Sequence, residues 1–472
     1  VSGPLPSRLR IGPDSRRFGN NSQWTRTLDQ NYAIDAISSA ALNLDATLDD
    51  VGNFTGLISS GQSYQFGYDP LYRLTELRQG SSVLEHFDYD ATGNRTAATL
   101  GGSAQSYAYP TNSHRLQSIN GVSRDYDNVG NTTQRDGLTY TYNGRNRLSR
   151  VSMGRTTYYS NTYNARGERE EKSLTNGLTV QRFIYDEAGR LIQTGNVPPI
   201  GLTRTLKPEQ RLLWLDDQLV GVKMMKVESN AYAGELLYAH TDHLGTPRAL
   251  SRPSANNSIV WRWPLETSAF GQHPAQTDPD GDGQALTFNL RYPGQYFDSE
   301  SGLHYNYFRD YEAGVGRYIE SDPINLLGGI NTYVYVGSRP LLFVDPLGLS
   351  PNGWGCMVGG TIGMVGGAAL CSPSGPGALA CSAAGGALVG AALGCATGSL
   401  IPEPEPLVTP QPMPFAPADT GEVCPEEKPD CRKVKQDCLA KCSDEALPSG
   451  DNGFRFWNCL NKCMKDNRCE GQ

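Results

Sequence analysis

No cysteine occurs before Cys356 and no histidine after His304, although the 472-residue chain holds 11 of the first and 6 of the second. Two segments of different character therefore meet between those positions. No methionine precedes Met153 and the chain opens on Val1-Ser2-Gly3, so it is expected to be a fragment of a longer protein. No signal peptide is present, and in a fragment that says nothing about export. Charge is sparse: charged residues make up 19%, and a formal net charge of −8 gives no electrostatic reason to expect a nucleic-acid partner. The histidine-free stretch beyond residue 350 excludes His-metal nucleases, His-x-Glu deaminases and Ser-His or Cys-His dyads. No enzymatic motif is left in that tail.

Glycine (53) and tyrosine (24) are abundant, a balance that suits many short strands joined by tight turns. A unit of an aromatic, then Asp or Asn, a turn and a short alternating strand recurs at Tyr68-Asp69, Tyr89-Asp90, Tyr126-Asp127, Tyr142-Asn143, Tyr163-Asn164 and Tyr185-Asp186. Weaker copies lie at Leu48-Asp49-Asp50 and across residues 107–116. Successive units are roughly 16 to 22 residues apart, a spacing typical of repeat architectures. Each reads as a β-hairpin that is marginal alone and buries a continuous face only when stacked. The Asp or Asn is expected to cap the turn through backbone N–H groups, which makes these residues scaffold and not a catalytic or sugar-binding set.

These Tyr-Asp units resemble the repeats of Rhs and YD-repeat proteins, a group that includes the C-component of insecticidal toxin complexes and the teneurins. The resemblance covers about residues 45–349 and implies a mainly β fold: a hairpin sheet wound into a hollow cocoon around a variable C-terminal polypeptide. From Tyr238 a denser segment, including YAHTDHLGTPRAL, WRWPLETSAFG and the run from Asn289 to Leu349, is similar to the Rhs repeat-associated core.

Within that core, Asp310 (FRDYE) and Asp322 (IESDP) flank the turn signal Gly314-Val315-Gly316, so a hairpin is expected to bring the two carboxylates together. Two carboxylates sharing one proton can split a peptide bond. Arg309 adjoins the first and is a candidate to hold its carboxylate or steady oxyanion charge. In the resembled family the chain is cut after a DPxGL sequence and proteolysis depends on two Asp and an Arg. The matching positions are Asp310, Asp322 and Arg309, with cleavage between Leu349 and Ser350 after Asp345-Pro346-Leu347-Gly348-Leu349. Asn325 and Arg339 stand where the family usually has Gly and Asn. Asp278, Asp280 and Asp282 have the spacing of half a calcium loop, but Asn289 sits at the twelfth position in place of Glu, and a solvated acidic loop is the expectation.

The organisation expected is YD repeats over 1–237, core over 238–349, a Gly-rich apolar helical hairpin over 350–400, a Pro-rich linker over 401–423 and a cysteine-rich helical module over 424–472. Gly355, Gly359, Gly363 and Gly367 recur at four-residue steps, as do Gly386, Gly390, Gly394 and Gly398, which suits closely packed helices, either membrane-inserting or packed inside the shell. Cys438, Cys442, Cys459 and Cys463 have i, i+4 spacings that fit two stapled helices, Cys438 with Cys463 and Cys442 with Cys459, or a zinc site; Cys424, Cys431 and Cys469 leave connectivity open. Two functions compete. One is a secreted bacterial polymorphic toxin carrier, whose cargo is its own tail, delivered to a target cell and its membrane and answered by an immunity protein. The other is a cell-surface adhesion or carbohydrate-binding protein with a C-terminal anchor.

Overall fold

The computed structural model describes residues 15–349 except 31–32, 176–178, 198–205 and 226–231. The helical hairpin, the linker and the cysteine module therefore lie outside the described residues. What is described is β structure joined by turns and a few 3₁₀ turns, with no α-helix among the described residues.

From Ser15 to Arg262 the chain forms one sheet of 24 strands, in which each strand pairs antiparallel with the next in sequence. The reason is local. At Asp49, Asp69, Asp90, Asp127, Asn143, Asn164, Asp186 and Asp242 the side-chain oxygen accepts the N–H groups two and four residues on, at 2.8–3.1 Å. One acceptor so satisfies two turn donors and fixes the hairpin. The residue three after it has a left-handed φ, which glycine supplies at Gly52, Gly93, Gly130, Gly167, Gly189 and Gly245, with φ from 79° to 97°. The tyrosine before the Asp or Asn reaches back to the preceding hairpin. The hydroxyls of Tyr89, Tyr126, Tyr142 and Tyr163 donate to the carbonyls of Leu74, Leu116, Thr132 and Leu148 at 2.7–3.0 Å. The repeat residues are scaffold, as their spacing indicates.

The sheet runs past Tyr238 without a break: strands Leu236–Thr241, Pro247–Arg252 and Ser258–Arg262 belong to it, so residue 238 lies inside a strand. Its last strands meet its first. Trp24 Nε1 donates to the Thr241 carbonyl at 3.0 Å, His240 and Ser39 hydrogen-bond at 2.8 Å, and Arg262 donates to Ser60 Oγ at 2.7 Å.

Residues 263–349 pack on this sheet and carry a second, four-stranded one: Tyr296–Asp298, Leu303–Asn306, Arg309–Glu312 and Arg317–Tyr318. Aromatics fill the junction, with Trp261, Trp263, Tyr292, Tyr311, Tyr318 and Tyr335 almost fully buried. Ion pairs clamp the core segment to the repeats. Glu312 lies 2.6 Å from both Arg124 and Arg135, and Asp298 is held by Arg169 at 2.5 Å and Lys172 at 3.0 Å. Main-chain and side-chain hydrogen bonds add to the clamp: Thr132 N to Ile319 O at 2.8 Å, Tyr333 Oη to Gly130 O at 2.7 Å, and Asn331 Nδ2 to Asn94 Oδ1 at 2.9 Å.

Candidate functional site

The hairpin expected across Gly314-Val315-Gly316 is present: Tyr311 pairs with Tyr318 and Glu312 with Arg317. It does not join Asp310 to Asp322. Neighbouring residues of a strand point to opposite faces, so Arg309 and Asp310 serve different clusters. Arg309 turns away from Asp310, contrary to the expectation that it holds that carboxylate. Its Nη2 is ion-paired with Asp322 Oδ2 at 3.0 Å and donates to Asp345 Oδ2 at 3.2 Å, its Nη1 donates to the Thr332 carbonyl at 3.1 Å, and its Nε to the Gly348 carbonyl. The guanidinium also stacks 3.6 Å from the Tyr318 ring centre.

Asp310 finds its partner in Glu320, a residue that the sequence motifs do not single out. Glu320 Oε2 accepts the Asp310 backbone N–H at 2.8 Å, and the two buried carboxyls face one another. Burial pushes Asp310 up to about 7, and burial together with the Asp310 charge raises Glu320 well above the usual carboxyl range. Asp310 Oδ1 and Glu320 Oε1 have no other partner among the described residues, which is the environment of a pair sharing one proton. The carboxyl that faces Asp310 is thus that of Glu320 and not that of Asp322. The signal available in sequence was the strand alternation of Tyr318-Ile319-Glu320.

The Asp345–Leu349 segment lies against the Leu303–Asn306 and Arg309–Glu312 strands. Asn306 Nδ2 donates to the Asp345 carbonyl at 2.9 Å, Phe308 N to the Leu347 carbonyl at 3.0 Å, and Leu349 N to Asp345 Oδ1 at 2.9 Å. Tyr318 Oη donates to Asp345 Oδ2 at 2.8 Å. Gly348 has φ 69°, and a Cβ there would sit 2.4 Å from the Asn306 carbonyl oxygen, so only glycine lets the segment lie this close. Pro346 and Leu347 also line a cavity of about 190 Å³ with Tyr185, Trp214, Tyr296 and Tyr305.

Asp322 faces this segment. A Cβ built on Gly328 would lie 2.3 Å from Asp322 Oδ2 and 2.7 Å from the Leu349 carbonyl oxygen, so those two oxygens are separated by no more than the sum of these distances. Burial lifts Asp322 to about 6, only partly offset by Arg309. Ile324 N donates to its Oδ1 at 2.9 Å and Asn325 N to its carbonyl at 2.9 Å. Asn325, which stands where the resembled family has glycine, takes a left-handed φ of 54°, a conformation Asn tolerates better than other side chains do. Ser350 lies outside the described residues.

A family model for the teneurin YD-shell matches residues 50–332, more than half of the chain. The chain belongs to the YD-shell family. This YD shell is 29% identical to double-stranded DNA deaminase toxin A of Burkholderia cenocepacia (strain H111), over 72% of its own length and 23% of the relative's. It is 27% identical to the probable deoxyribonuclease RhsA of Dickeya dadantii (strain 3937), over 62% and 21%. The chain therefore spans less than a quarter of either relative. Among solved structures, TcdB2-TccC3-Cdc42 matches with a TM-score of 0.57 at 17% identity, covering 71% of this chain and 19% of that one, a likeness of fold.

Elsewhere in the YD shell, Asp278, Asp280 and Asp282 bring ligand oxygens within 4.8 Å of one another. Asn289, the twelfth position, instead donates to Tyr296 Oη at 3.2 Å. Cys438, Cys442, Cys459 and Cys463 lie outside the described residues. Among the described residues no helix is long and apolar enough to cross a membrane.

Proposed function

We propose that this chain is a portion of an Rhs-type polymorphic toxin whose shell encloses residues 350–472 as cargo and cuts them free at the Leu349–Ser350 bond. The observation that carries this reading is the docking of Asp345–Leu349 against Arg309 and Asp322, with the Leu349 carbonyl beside a carboxylate whose pKa is raised to about 6. That relatives bear toxin names supports delivery to a target cell as the purpose, with secretion and an immunity partner as its corollaries. The same names disfavour an adhesion protein with a carbohydrate ligand and a covalent anchor.

The chemistry assigned is hydrolysis. Asp322, ionised above about 6, takes a proton as water adds to the Leu349 carbonyl carbon. Arg309, already donating to the Gly348 carbonyl, fixes the segment and offsets the charge that develops next to it. The C–N bond then breaks as the Ser350 nitrogen takes the proton that Asp322 accepted from water, and Leu349 is left as a carboxylic acid that ionises to the carboxylate. Asp310 and Glu320, raised by burial, lie on the other face of the Arg309 strand, and their role in the step is to position that strand.

The test is mass spectrometry of the purified chain. Two pieces are expected, ending at Leu349 and beginning at Ser350, which co-elute in native size exclusion and separate in denaturant. Asp322→Asn and Asp310→Asn should each keep the chain whole. A wild-type chain that stays full length after folding would sink the reading. Cleavage of Asp310→Asn at the normal rate would confine the Asp310–Glu320 pair to packing.

A further inference from the structure

Three large apolar side chains stand out on the surface. Leu326, Leu327 and Ile330 are 72%, 74% and 75% exposed, while no other exposed large hydrophobic among the described residues exceeds the 60% of Leu71. Single exposed leucines are ordinary, but three within five residues mark a contact surface. The loop that bears them is tied down: Asn325 N donates to Asp322 O at 2.9 Å, and Leu327 N and Gly329 N donate to the Ile324 and Leu326 carbonyls at 3.2 Å. It presents its side chains from a fixed backbone.

This loop is also where the described chain ends. Gly328, between Leu327 and Ile330, is the residue whose added Cβ would lie 2.7 Å from the Leu349 carbonyl oxygen. The sequence beyond Leu349 is chemically matched to the patch: no Asp, Glu, Lys or Arg occurs between Asp345 and Glu403. Trp354 opens a run that also holds Met357, Val358, Ile362, Met364 and Val365. Trp354 lies five positions beyond Leu349, a reach of roughly 17 Å when extended, so this run starts within range of the patch.

We infer that Leu326, Leu327 and Ile330 are the docking seat for residues 354–370 of this same chain. The inference rests on the reading that the shell holds its tail, and it names where the hold begins. Burying these side chains against an uncharged partner removes apolar surface from water on both sides and needs no polar group to be satisfied. Because the seat adjoins the Asp322–Leu349 site, a tail held there would stay with the shell after its covalent link is cut.

The experiment uses the full 472-residue chain. Ile330 is replaced by the photo-crosslinking amino acid p-benzoylphenylalanine, the native protein is irradiated, and crosslinked peptides are mapped by mass spectrometry. Crosslinks to residues 354–370 are expected. Crosslinks confined to the shell, or a band at twice the chain mass showing a second copy on the patch, would overturn the inference. In parallel, maleimide labelling of Cys356 under mild reduction should be at least tenfold faster in L326S/L327S/I330S than in the parent. These side chains are exposed, so the variant is expected to keep its melting temperature, and an unchanged Cys356 rate at unchanged melting also overturns the inference. Cleavage is scored on the same samples as the appearance of the Ser350 terminus. A chain that crosslinks as expected but stays whole refutes autoproteolysis and leaves the docking seat standing.

Discussion

Gly348→Ala is the sharpest perturbation of the cleavage geometry, because Gly302 supplies a matched control. The two glycines have almost the same φ, 69° and 70°. An L side chain at such a φ costs roughly 1–2 kcal/mol at either position. Their surroundings differ. Nothing lies within 4 Å of a Cβ on Gly302, whereas one on Gly348 meets the Asn306 carbonyl oxygen at 2.4 Å and Arg309 N at 3.1 Å. Reaching ordinary contact at 3.4 Å requires the Asp345–Leu349 segment to move by about 1 Å away from the strand that carries Arg309. A displacement of about 1 Å at a reacting centre costs on the order of 10²-fold in rate. The assay is in vitro translation with time-resolved gel analysis of intact and cut chain. Gly348→Ala should slow cutting about 100-fold, and Gly302→Ala should cut normally while melting a few degrees lower. Equal cutting rates in the two variants would refute the claim that close approach of the segment positions the scissile bond.

Arg309→Lys keeps the charge but cannot reach Asp322, Asp345, Thr332 and Gly348 together, so cutting should fall by roughly 10² or more while the fold survives; a lysine variant that cuts normally would reduce Arg309 to a point charge. The rate of cutting should rise with pH through about 6 as Asp322 ionises and becomes able to take the proton of water; a rate flat from pH 4 to 8 removes Asp322 from the chemistry. Burial alone would raise Glu312, yet the Arg124 and Arg135 guanidiniums outweigh it and hold the carboxyl at about 2. A depressed carboxyl stabilises the fold above its unfolded value of 4.5 and loses that stability as pH falls toward 2, here about 3 kcal/mol, readable in urea titrations at successive pH values. Glu312→Gln should cost ~3–5 kcal/mol at neutral pH, since it strands two buried guanidiniums. Loss of less than 1 kcal/mol would show that water reaches them.

The repeat was legible because its determinants are local. An Asp or Asn, a glycine three residues later and a tyrosine before them specify turn, φ and hydroxyl latch within one hairpin, and these in turn dictate nearest-neighbour pairing. The candidate site was legible only as a set of positions. Sequence order places Asp310 and Asp322 either side of a turn, but which carboxyls meet depends on strand faces and on packing against the repeats. Glu320 became the partner of Asp310 because Ile319 N bonds the Asp310 carbonyl at 3.0 Å and sets the register. Asp345 was visible as part of a motif and its bond from Leu349 N is local, while its ion pair with Arg309 and its acceptance from Tyr318 Oη are tertiary. The extension of the repeat sheet to Arg262 was concealed because Thr241-Asp242, like Leu48-Asp49, lacks the tyrosine that marks the six strong copies.

The clamp between the core segment and the repeats has a consequence for timing. The strands are laid down in order and each needs only its predecessor, so the sheet can extend as the chain leaves the ribosome. The Asp310–Glu320 and Asp322–Arg309 groupings are held in place by residues made far earlier: Thr132 bonds Ile319, Gly130 bonds Tyr333, and Asn94 bonds Asn331. If the proposed cut is made, its blade is assembled from segments 187 to 237 residues apart in the chain. A chain that stalls or misregisters midway never forms it, so severing the tail would serve as the molecule's own quality control, releasing cargo only from a finished container.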